Sequence, residues 1–136
     1  MNGTVQHLNP DGLMKNPAFS QVITTQGNGK TIYIGGQNAV NAAREIIGKG
    51  DLQAQTEQVM QNILIALEAG GASFENVVKL SIHIAQGQNP VGAFQASQKF
   101  MSSLTNPPVI TVLIVTGFAN PDFLIEIDLV AFVPES

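Results

Sequence analysis

A chain of 136 residues, 44% hydrophobic, has material for one sheet with a covering layer of helices but not for two cores. With no cysteine, it cannot form disulfides, thiolate metal sites or a cysteine nucleophile. Net charge is −4, only 12% of residues are charged, and Arg44 is the single arginine, so no basic stripe exists to neutralise nucleic acid.

That charge content is about half the ~25% of an ordinary soluble domain. It is too sparse to cover a small monomer, so part of the surface is expected to be buried against copies of the same chain. The first residues, "MNGTVQHLNPDGLMKNP", hold no continuous apolar stretch and do not read as a signal peptide. No apolar run reaches membrane-spanning length. A cytoplasmic protein without membrane contact is the expectation.

The whole chain, 1–136, reads as one domain, with residues 1–16 as an irregular arm. "FSQVITTQ" (19–26) has strand composition, "GNGK" (27–30) a tight turn, and "TIYIGGQ" (31–37) its expected hairpin partner. "GNGK" links two strands and opens no helix, so it is not a phosphate loop. Residues 38–50 form a loop with a short strand or turn near Ile46 and Ile47.

Asp51 can cap a helix whose stripe is Leu52, Thr56, Val59, Ile63 and Leu67, ended by Gly70 and Gly71. "NVVKLSIHIA" (76–85) is the next strand; on it His83 shares a face with Lys79 and Ser81, which suits packing better than catalysis. Asn89-Pro90 opens a second helix with Ala93, Ala96, Phe100 and Leu104 on its apolar side. "VITVLIV" (109–115) and "FLIEIDLVAF" (123–132) are the last strands. In the final one, Ile125, Ile127, Leu129, Ala131 and Val133 face one way, Leu124, Glu126 and Asp128 the other. The order ββαβαββ predicts an α+β fold, a mixed sheet with both helices on one face.

"YIGGQ", "ALEAGGASFENVVKLSIHI" and "LIEIDLVAFV", in that order, resemble the RidA/YjgF family, also labelled L-PSP endoribonucleases. The similarity spans roughly residues 17–133. It implies a chorismate-mutase-like fold and a homotrimer with ligand clefts between neighbouring subunits. For the best-known branch it implies hydrolysis of imines such as 2-aminoacrylate to a 2-oxo acid and ammonia. No metal or organic cofactor is implied.

Hydrolysing a small imino acid requires a carboxylate anchor, a positioned water and a group that moves protons. Arginine is the best anchor because its planar fork matches two carboxylate oxygens. In that family it follows a proline and one small residue, a place that here reads Pro108, Val109, Ile110, so Ile110 stands where the arginine would be. By the same resemblance Val112 replaces a cysteine, Phe19 a tyrosine, Gly35 a serine and Phe94 an asparagine. Gly35 and Gly36 together suit a close backbone approach to a ligand.

Glu126 matches the water-holding acid of the deaminases, and the resemblance groups it with Ile110 and Val112 around one cleft. A poorly solvated carboxylate there could shuttle protons. The simpler reading is a sheet-face carboxylate bonded to water or a neighbouring subunit. Arg44, in the loop near the family's cleft, is the one candidate substitute anchor; a solvated loop charge is the plainer reading. Three functions follow: a hydrolase of imines, enamines or related C–N bonds lacking the usual carboxylate, with Glu126 catalytic; a non-catalytic trimer binding a small molecule or a partner in apolar clefts; and, last, a ribonuclease, for which no cationic phosphate site is visible.

Overall fold

The computed structural model describes residues 2–136. Six strands and two helices follow in order β1 (Thr4–Leu8), β2 (Val22–Gln26), β3 (Gly29–Gln37), α1 (Leu52–Ala69), β4 (Val77–Ala85), α2 (Val91–Met101), β5 (Val109–Val115) and β6 (Ile125–Pro134). Four strands form the main sheet in the order β3-β6-β4-β5. The β4–β5 pair is parallel and the others antiparallel, so the sheet is mixed, as expected.

Two expectations are corrected at the N-terminus. The supposed irregular arm contains β1, and β2 pairs with β1, from Thr4 opposite Gln26 to Leu8 opposite Val22, rather than forming a hairpin with β3. Prolines 10 and 17 lie outside β1, and its alternation is visible once paired: Val5 and His7 are half-buried while Thr4 and Gln6 are exposed. The turn between β2 and β3 does contain a left-handed glycine, Gly27 (φ +81°). The next carbonyl, Asn28, accepts from Glu135 N–H at 3.0 Å, and Gly3 N–H donates to Glu135 O at 2.7 Å. The turn is thereby fastened to the end of β6, and a short two-stranded unit stands apart from the main sheet.

Helix α1 forms for the reasons its sequence supplies. Asp51 accepts from Ala54 N–H at 3.1 Å as the cap. At the other end Gly71 takes φ +80°, letting Ala72 N–H reach Leu67 O and Gly71 N–H reach Glu68 O. Its stripe of Leu52, Val59, Met60, Ile63 and Leu67 is buried against β3 and β6, where Ile34, Ile125, Ile127, Leu129 and Ala131 supply the opposing surface. Removing the cap with Asp51→Ala is expected to cost about 1 kcal/mol, read from urea unfolding, with no change in assembly mass.

Helix α2 packs on α1 through Ala93 and Ala96. It starts at Val91 with Pro90 as the cap residue, and Asn89 Oδ1 accepts from Val91 N–H at 3.1 Å. Among the described residues no helix is long and apolar enough to cross a membrane.

Candidate functional site

Helix α1 covers β3 and β6, and α2 leans on α1, which leaves the inner face of β5 without a lid. A groove of about 500 Å³ opens there between α2 and strands β4 and β5. It runs into a smaller hollow of about 170 Å³ through the shared residues Ile82, Phe94, Ser97, Val112 and Ile127. Register explains the lining. Ile82 pairs with both Val112 and Ile127, and Leu80 with Ile110, so these side chains share the helix side of the sheet.

Four residues singled out from the sequence meet in this groove: Phe19, Phe94, Ile110 and Val112. Phe94 and Val112 are more than half exposed (58% and 53%), which is unusual for large apolar side chains at the mouth of a cavity and marks it as accessible. No Asp, Glu, Lys, Arg or His lines either part. The polar side chains at the larger groove are Ser97 and Gln98, in the second half of α2, and Ser102, just beyond its end. Sequence reading missed them; Gln98 lies four residues after Phe94, so the helical repeat that placed Phe94 could have found it. It also missed Met101, and it gave Met60 only as part of the buried stripe of α1; both are flexible side chains at the groove.

Glu126 does not join them within one chain. Strand β6 buries Ile125 and Ile127 toward the helices and turns Glu126 to the opposite face, beside His83, its partner across the β4–β6 ladder. The His83 ring donates from Nδ1 to the Glu126 carbonyl at 3.3 Å, a packing role of the kind the strand pattern predicted. Glu126 lies over Gly36, at the irregularity between Ile34 and Gln37 of β3. A Cβ on Gly36 would stand 2.7 Å from the Glu126 carboxyl carbon, so only glycine admits the carboxylate in this position. Gly35 faces open space.

Arg44 is exposed and has a left-handed backbone (φ 66°). Its loop is built around Asn41, whose Oδ1 accepts from Ala43 and Glu45 N–H, both at 3.0 Å. Asn62 of α1 holds the same loop by donating to the carbonyls of Asn38 and Val40. The loop leaves from β3 and is fastened to α1 through Asn62 and Gln55. Within one chain the anticipated residues therefore stand apart: Phe19, Phe94, Ile110 and Val112 line the groove at the β5 edge, Glu126 lies with Gly36 on the other face of the sheet, and Arg44 sits in the exposed loop.

The model of the family described as Endoribonuclease L-PSP matches residues 13–133. A protein of the conserved Rid family from Yersinia pestis superimposes with a TM-score of 0.82 at 31% identity, covering 93% of this chain and 97% of its own. A member of the YjgF/YER057c/UK114 family from Mycobacterium tuberculosis shares the fold, with a TM-score of 0.64 at 23% identity over 85% and 86% of the two chains. A RutC family protein of Pyrococcus horikoshii is 36% identical over 66 residues, 48% of this chain and 50% of the relative. The match therefore spans about half the length of that relative.

Proposed function

The chain belongs to the L-PSP endoribonuclease family, that of the Rid and YjgF proteins, and from that premise we propose that it acts as a homotrimer whose inter-subunit clefts bind a neutral, largely apolar small molecule. One observation carries this reading: the groove that gathers Phe19, Phe94, Ile110 and Val112 has no charged side chain in its lining. A ligand carboxylate entering it would lose its water and meet only the neutral donors Ser97, Gln98 and Ser102, with no cation to offset the desolvation of its charge. The number three comes from the family resemblance.

Both ends of the sheet support the assembly. Strand β5 is an edge strand with Val112, Leu113 and Ile114 each at least half exposed, a surface that invites pairing or cover. A head-to-tail contact of the β5 edge of one copy with the β3 side of the next closes a ring and brings the separated residues together. Under that arrangement a neighbour's Glu126 stands at the groove mouth, with the open backbone of Gly35 beside it. This favours a second reading, hydrolysis of a neutral imine or related C–N bond, in which Glu126 orients the attacking water. The family's ribonuclease label is not carried over, because the lining offers no cation for a phosphate.

The test is a fluorescence titration with phenyl-naphthylamine, a neutral probe, against benzoate as an anionic one. The neutral probe should bind and benzoate should not. Val112→Asp should weaken the probe about tenfold or more, while Glu126→Gln should leave its affinity unchanged and, under the second reading, abolish turnover. Benzoate binding without probe binding would refute the apolar cleft. A monomer by light scattering at micromolar concentration would refute the ring.

A further inference from the structure

Ser20 follows Phe19 directly and is 3% exposed. Its hydroxyl donates to Pro107 O at 2.6 Å, and its N–H donates to Pro108 O at 3.0 Å. Having spent its only hydrogen on Pro107, the hydroxyl can only accept from His7 Nδ1, 3.0 Å away. One small side chain therefore ties β1, the start of β2 and the entry to β5 together across 87 positions of sequence.

The double proline makes this a firm anchorage. Pro107 and Pro108 have restricted φ and no N–H of their own, so their carbonyls are presented on a stiff segment just ahead of Ile110. Pro108 is among the fully buried residues. By contrast, the strap 9–19 is fastened mainly to itself: Gln21 holds Asn9 and Met14, Asn16 holds Ala18 and Phe19, and Lys15 meets Asp11. Within that strap Pro17, Ala18 and Phe19 form one wall of the groove.

We propose that Ser20 is a positioning residue for the ligand groove: clasped between His7 and the Pro107 carbonyl, it holds Phe19 opposite Ile110 and so keeps the strap wall closed. This rests on the groove being the ligand site. Loss of the hydroxyl releases the strap but leaves the main sheet and α1 intact, because none of their hydrogen bonds passes through Ser20.

The chain has no tryptophan, so Phe19→Trp supplies a single fluorescent reporter in the full-length protein. In that background Ser20→Ala is expected to raise acrylamide quenching of the indole about threefold; with Phe19 unchanged, Ser20→Ala should weaken phenyl-naphthylamine about tenfold, as the hydroxyl's bonds to His7 and Pro107 are both lost. Far-UV circular dichroism and assembly mass should stay as in the parent. Ser20→Cys fills the same space with a much weaker hydrogen-bonding group and should behave like Ser20→Ala.

Unchanged quenching in Ser20→Ala would overturn the proposal, as would a Ser20→Cys protein indistinguishable from the parent, since packing alone would then hold the strap. If quenching rises but the parent never binds the probe, the strap is held by Ser20 yet the groove is not the ligand site, which overturns the positioning role in binding. A general loss of circular dichroism in both variants would also overturn it, by making Ser20 a folding residue.

Discussion

Gln55→Leu is expected to lower unfolding stability by about 3–5 kcal/mol. Gln55 is fully buried in the first turns of α1. Its Nε2 donates to Gly48 O at 3.2 Å and to Asp122 O at 2.9 Å, while Oε1 accepts from Leu124 N–H at 2.9 Å. Two separate loops, one before α1 and one before β6, are fastened to the helix through this amide.

Leucine is close in size, so the substitution isolates the hydrogen bonds from the volume. It leaves the Leu124 N–H and the Asp122 carbonyl without these partners, each costing about 1–3 kcal/mol where water cannot reach, while the Gly48 carbonyl keeps its bond from Asp51 N–H at 2.9 Å. At roughly 2–4 °C per kcal/mol for a chain near this length, the thermal midpoint should fall by about 6–20 °C. The measurement is urea or thermal unfolding at a fixed protein concentration, because subunit association couples to stability. A loss below 1 kcal/mol would mean that water enters and replaces the amide.

Ile110→Arg is the second large expectation, and it concerns binding. Ile110 lies on β5 at the groove, opposite Leu80 in the ladder, with Phe19 as a fellow lining residue. A guanidinium there would give the groove its first charge and a planar pair of donors for a carboxylate. Charge-assisted contacts of that kind contribute about 1.5–3 kcal/mol, so benzoate should bind up to about a hundredfold more tightly than to the parent, and the neutral probe more weakly.

The same pair of proteins belongs in a coupled assay in which a dehydratase generates 2-aminoacrylate and its conversion to pyruvate is followed. The parent should give no acceleration. Acceleration by the parent would sink the argument from Ile110 and turn attention to Arg44, the remaining arginine. Gain of activity in the variant would show that the water site was intact and only the anion grip had been missing.

Much of this molecule is legible locally. Asp51, Gly71 and the Leu52–Leu67 stripe specify α1 through contacts a few residues apart, and the alternation of Ile125 to Ala131 identifies the buried face of β6 without its neighbours. The groove residues were partly legible as well, because the family resemblance singled out Phe19, Phe94, Ile110 and Val112, and all four line the groove.

The rest depends on which distant segments pair. β1 looked irregular because its five residues gain their meaning only against β2, and nothing local marks Gln55, whose partners are 7, 67 and 69 residues away. Glu126 is the clearest case. Its parity along β6 was evident, but which face Ile110 and Val112 share with it is decided by the β4–β5 and β4–β6 registers, where a slip of one residue reverses every side chain. The sequence by itself therefore determined the family, the helices, the strand faces and the absence of charge at position 110. Tertiary structure alone decided that Ile110 and Val112 line a groove on the helix side of the sheet while Glu126 lies on its other face, because register and strand order are set by long-range pairing and core packing, which no local pattern encodes.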